Sequence, residues 1–210
     1  MYLMSRNARL SSTAAVEWAL LILGRAREVT GSAIDLWATA FSASLGRVAW
    51  TSWWPDLSTL EAATTALRAD AKYRALAEEG RAHVVGEIDD ELWLLLHGDL
   101  DPERAASVKY VGTVRAVCAA GNAVRALTVG VETAERSQVL TGLPTMFLSA
   151  VTGPYGEVGW MSGYDSLGEF ETTQGKLAAE PAWMAHIDSM EGCFVEDPSV
   201  TQQTLYERLS

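Results

Sequence analysis

GRVAWTSWWPDLSTLEAATTALRADAKYRALA, residues 46–77, returns 110 positions later as GEVGWMSGYDSLGEFETTQGKLAAEPAWMAHI, residues 156–187. The two segments align without a gap. Nine of 32 positions are identical: Gly46/Gly156, Val48/Val158, Trp50/Trp160, Ser52/Ser162, Leu57/Leu167, Glu61/Glu171, Leu67/Leu177, Ala69/Ala179 and Ala75/Ala185. Unrelated segments of ordinary composition share about two or three. Trp54/Tyr164, Leu60/Phe170, Asp70/Glu180 and Tyr73/Trp183 add conservative pairs. A match this long at one fixed offset is the mark of an internal duplication.

Working outward, each half reads alike. Apolar alternation predicts a strand over 2–10 and again over 109–118. Helices are predicted over 13–29 and 123–140, with Ser12 and Asn122 as N-caps. Both helices run into Thr-Gly (Thr30-Gly31, Thr141-Gly142), where glycine suits a left-handed C-cap. A hairpin follows: 36–44 and 47–54 around Leu45-Gly46 in the first half, 143–152 and 157–164 around Gly-Pro-Tyr-Gly in the second. A second helix is predicted over 57–78 and 167–190, the later one kinked or restarted at Glu180-Pro181. A last strand closes each half, over 92–97 and 201–209.

The order βαββαβ, twice, predicts two ferredoxin-like units: α+β, each an antiparallel sheet with both helices on one face. Such a unit leaves its other sheet face bare, and two in one chain can join as an intramolecular barrel. The expected division is residues 1–98, a polar linker 99–107 carrying Asp99, Asp101 and Pro102, and residues 108–210. A pseudo-dimer within the chain follows, and further pairing into a homodimer stays open.

Composition bounds the function. Of 210 residues, 49% are hydrophobic and 20% charged, so this is not a disordered chain. The net charge of -11, without a Lys/Arg cluster, argues against a nucleic-acid partner. The apolar stretch 14–23 is too short to span a bilayer and is interrupted by Glu17, so no membrane partner is expected. Two cysteines, Cys118 and Cys193, without CxxC spacing suit a cytoplasmic protein with neither disulfides nor a zinc site. His83 and His97 lack partners at metal-ligand spacing, so no metal site is expected. No Gly-rich phosphate loop and no GxSxG is present, and no cofactor is expected.

Tyr164-Asp165-Ser166-Leu167 entering a helix, then Glu180-Pro181-Ala182-Trp183, resembles the NIPSNAP family within the dimeric α/β-barrel superfamily. Trp54-Pro55-Asp56-Leu57 and Asp70-Ala71-Lys72-Tyr73 are a degraded copy. The motif covers about 35 residues of each half, and the fold pattern covers nearly the whole chain. The resemblance implies a pocket beside or between sheets. It also implies relatives that include cofactor-independent monooxygenases of the antibiotic-biosynthesis type, haem-degrading enzymes and chlorite-dismutase-like haem proteins. Fold does not choose among them. Haem-degrading relatives are expected to use an Asn on the first strand with Trp and His on the second helix. Asn7 matches the first place, but Ala66 and Leu76 hold the other two in that half. His186 matches in the second half, where Lys176 and Val114 hold the others. The set is split and incomplete.

The candidate catalytic residues are therefore Asn7, Tyr164 and His186. Trp50, Ser52 and Trp54 share one strand face, as do Trp160, Ser162 and Tyr164. On a face between sheets, Trp50, Trp54, Trp160 and Ser162 are candidates to bind a small apolar or aromatic ligand; equally, the rings can fill a core. Two readings lead, a non-catalytic ligand-binding module and a cofactor-independent monooxygenase, with a haem-binding or haem-degrading protein ranked third.

Overall fold

The computed structural model describes residues 1–41, 46–197 and 199–210. The elements run β1 (Tyr2–Arg9), α1 (Ala15–Thr30), β2 (Ile34–Ala40), β3 (Arg47–Trp54), α2 (Leu57–Ala69), α3 (Ala71–Glu79), β4 (Asp89–His97), α4 (Pro102–Ser107), β5 (Tyr110–Val117), α5 (Ala123–Thr141), β6 (Thr145–Ala150), β7 (Glu157–Tyr164), α6 (Leu167–Ala179), α7 (Pro181–Asp188) and β8 (Gln202–Arg208). The eight strands form one closed barrel in the order β1-β3-β2-β8-β5-β7-β6-β4. Read around the ring, this is β4-β1-β3-β2 followed by β8-β5-β7-β6, the same ferredoxin-like order twice. The chain forms two compact units, Met1–Trp93 with Glu207–Ser210, and Leu94–Tyr206. The boundary falls within both closing strands, β4 and β8.

In the first unit, β1 and β2 both pair antiparallel with β3, aligning Arg6 with Trp50 and Leu36 with Trp50. In the second, β5 and β6 pair with β7 in the equivalent register, Val114 and Phe147 opposite Trp160. Each unit packs its own core between sheet and helices. Ala15, Trp18, Ala19, Leu23 and Ala26 recur at helical spacing and give α1 one buried stripe. That stripe meets Ile34, Leu36, Val48 and Trp50. In the second unit Ala134 of α5 meets Phe147, Val158 and Ala116.

The helix ends refine the sequence reading. Gly31 and Gly142 are left-handed C-caps at φ 66° and 79°, as the Thr-Gly pairs predict. The expected N-caps are not made by side chains. α1 starts from a turn after Ser12, with Ala14 at the cap position, and Asn122 instead donates Nδ2 to the Gly192 carbonyl. The second helix is broken in both halves, not only at Glu180-Pro181. Asp70 leaves helical backbone (φ -75°, ψ 120°), ends α2 and accepts from the Tyr73 amide to start α3. Glu180 does the same for Ala182. Asp70 also takes a two-pronged bond from Arg25 of α1, with Nε to Oδ1 at 2.9 Å. The guanidinium holds that carboxyl down at about 2. Within the expected linker, Asp101 caps the short helix α4. The expected strand over 36–44 ends at Ala40, and residues 42–45, with Leu45 of the expected turn, lie outside the described set.

Candidate functional site

The strand registers decide which way the alternating side chains face. Trp50 Nε1 donates to the Ala19 carbonyl of α1 at 3.2 Å, and Trp160 Nε1 donates to the Gly130 carbonyl of α5 at 2.8 Å. Both sets, Trp50/Ser52/Trp54 and Trp160/Ser162/Tyr164, therefore face the helices of their own unit. The expectation that they lie on a face between sheets is corrected. The indole N–H needs an acceptor once buried, and the nearest helix carbonyl supplies it. Trp50 meets Trp18 edge-on at 5.9 Å, Trp54 Nε1 donates to Ser52 Oγ at 2.8 Å, and Trp160 sits against Phe147 and Phe194. These rings are core contacts of the sheet-helix layer.

The two Trp-to-helix bonds show that the helices of the repeat are offset by 111 residues, one more than the segment quoted first. The same offset relates Gly31 to Gly142. With both offsets in hand, the halves differ sharply at four inward positions. The first half has Ile22, Ala26, Ile34 and Leu76; the second has Thr133, Ser137, Thr145 and His186. All four of the polar residues are between 5% and 8% exposed. Burying a hydroxyl or imidazole costs free energy unless it is hydrogen-bonded, and here every one of them is.

Thr145 Oγ1 donates to Ser137 Oγ at 3.1 Å and lies 2.9 Å from Ser162 Oγ. Beyond Ser162 stands Tyr164, buried and edge-on to Phe170 at 5.2 Å. Burial pushes the Tyr164 phenol up, and bonds with Ser162 and Gln174 pull partly against it. Gly112 on the facing strand leaves room for that ring, since a Cβ there would stand 3.1 Å from Tyr164 Cε2.

One helical turn from Ser137, Thr133 Oγ1 lies 2.9 Å from His186 Nε2 and 2.7 Å from the Val129 carbonyl. A carbonyl can only accept, so the single hydroxyl proton goes to Val129. Thr133 must then accept from Nε2–H, which leaves the lone pair of neutral His186 on Nδ1. Burial, aided by Arg136, lowers the His186 pKa, with Glu132 opposing, so the ring is neutral at pH 7.

Ser162, Tyr164 and His186 thus share one layer of the second unit. Asn7 does not join them. It belongs to the first unit and stands opposite Ala49, on the sheet face turned away from α1. Thr133, Ser137 and Thr145 escaped the sequence reading. The signal was present in the polar-for-apolar exchange, but it appears only when the helices are aligned at their own offset. His83 is half-buried and stacks on Trp18 at 5.4 Å. Among the described residues, no three His, Cys, Asp or Glu side chains are grouped to hold a metal ion. No helix among them is long and apolar enough to cross a membrane.

Solved structures carry the same architecture. A Fusobacterium nucleatum protein with a provisional monooxygenase assignment superposes with a TM-score of 0.71 at 6% identity, covering 100% of this chain and 92% of its own. An anthrone oxidase-like protein gives 0.67 at 12% identity, covering 100% and 91%. The chlorite dismutase of Candidatus Nitrospira defluvii gives 0.53 at 9%, covering 98% and 91%. The fold is a dimeric α/β barrel held in one chain. At these identities the likeness is one of fold. No protein-family model matches the sequence, and no curated protein matches it.

Proposed function

We propose that the protein binds a small apolar or aromatic molecule in its second unit, between sheet and helices, with Ser162, Tyr164 and His186 as polar contacts. The observation that carries this reading is the asymmetry of the repeat. The first half packs Ile22, Ala26, Ile34 and Leu76 where the second buries Thr133, Ser137, Thr145 and His186. The first half fills these four positions with apolar side chains and keeps Ser52 as a hydroxyl of the layer, bonded to Trp54. Polar groups kept in a buried layer are the pattern of a site that orients a ligand. Two free thiols support a cytoplasmic location, and the acidic charge gives nucleic acid no footing.

The test converts the second half into the first. Thr133→Ile, Ser137→Ala, Thr145→Ile and His186→Leu are combined, and anthrone, taken from the name of the anthrone oxidase-like neighbour, is titrated calorimetrically. Wild type binds and the fourfold variant does not. Equal binding by both, or none by wild type, overturns the reading.

A second reading, oxygenation without a cofactor, is favoured by neutral His186 with its lone pair on Nδ1. Such a base takes a proton from an activated carbon, and the carbanion then reacts with O2. For anthrone, one O2 is consumed, and one quinone and one water are formed. Oxygen uptake that vanishes in His186→Leu supports it; binding without uptake leaves the non-catalytic reading.

A further inference from the structure

We propose a second ligand site, in the first unit on the sheet face turned away from α1, built around Asn7 and specific for an uncharged aromatic carbonyl compound. Asn7 is 8% exposed, accepts from Ser5 Oγ at 3.3 Å through Oδ1, and has no partner for Nδ2. Exchanging the two amide atoms does not help, because the orphan atom is then the oxygen. A buried amide donor without an acceptor is disfavoured, and native structures rarely keep one without a use.

The register shows what lies beside it. Asn7, Ala49 and Trp37 form one row across β1, β3 and β2, and Ser5, Thr51 and Asp35 form the next. Directly opposed residues share a face, so these six side chains face together. Ala49 is the small member of its row and separates the Asn7 amide from the Trp37 ring. The Trp37 N–H is already satisfied by Thr51 Oγ1 at 3.0 Å, so the ring offers a ligand no donor. Arg208 lies over Trp37 at 4.6 Å and pairs with Asp35 at 3.6 Å, and Arg27 reaches the same carboxylate. With its charges paired, the patch selects a neutral ligand. The Asn7 donor beside an aromatic ring asks for a carbonyl oxygen on a flat ring.

The probe is 4-fluorobenzamide, read by the width and shift of its 19F resonance. Full-length protein broadens the line. Asn7→Leu and Asn7→Asp, which remove the donor, weaken binding roughly tenfold or more, as expected when a directed hydrogen bond is deleted. Ala49→Leu adds bulk between Asn7 and Trp37, leaves Asn7 intact, and has the same effect. The fourfold helix-side variant binds the probe as wild type does, which separates this site from the proposed anthrone site. No broadening by wild type at the solubility limit overturns the proposal. So does undiminished binding by folded Asn7→Leu or Ala49→Leu, which would make Asn7 a structural residue only.

Discussion

Gly130→Ala is the sharpest test of how the two halves fill the same space differently. A Cβ on Gly130 would stand 2.1 Å from Phe147 Cζ and 2.6 and 2.7 Å from its Cε atoms. Phe147 is fully buried, and Gly130 also supplies the carbonyl that accepts from Trp160. The first half has Ala19 and Leu36 at these two places, a larger helix residue against a smaller strand residue. Alanine gains about 1 kcal/mol of helix propensity over glycine. Overpacking costs about 1–3 kcal/mol, and at such close approach the upper end applies. Strain on the Trp160 bond adds about 1 kcal/mol. The net loss is about 2–3 kcal/mol, or roughly 4–12 °C in Tm for a chain of this size. Phe147→Leu alone leaves a void and costs about 1–2 kcal/mol. The double variant reproduces the first half's pairing and recovers at least about 1 kcal/mol over the sum, as contacting residues do. Urea midpoints by circular dichroism measure all three. A Gly130→Ala protein as stable as wild type, or strictly additive losses in the double variant, would refute the packing argument.

Other outcomes follow from the charges and the topology. The folded His186 pKa lies below its ordinary 6.5, so the unfolded chain binds more protons, and stability falls as pH drops below about 6.5. His186→Leu removes that loss, which urea midpoints between pH 8 and 5 would detect. Asp70, held at about 2 by Arg25, contributes stability that is present above its ordinary 3.8 and lost as pH falls through about 2. Asp70→Asn flattens that acid limb and lowers the midpoint at pH 7; an unchanged acid profile would count against the Arg25 pairing. Residues 1–107 expressed alone give an insoluble or paired product, because β4 and β2 lack the neighbours they have in the ring. A stable monomer by light scattering would contradict this.

The sequence by itself determined the duplication, the βαββαβ order and most of the boundaries. Those features rest on local patterns, namely strand alternation, Thr-Gly caps and one 110-residue offset. It also brought Ser162, Tyr164 and His186 forward as candidates. The break at Asp70 was half visible, because its partner Glu180 is followed by proline and Asp70 is not. Face direction was beyond its reach. Period-2 alternation separates two sides of a strand without saying which side meets a helix. Only packing decided that Trp50 and Trp160 face α1 and α5, where helix carbonyls accept their N–H groups. The tertiary structure likewise gathered Thr133, Ser137, Thr145 and His186, since hydrogen bonds between residues 8 and 53 apart leave no periodic trace.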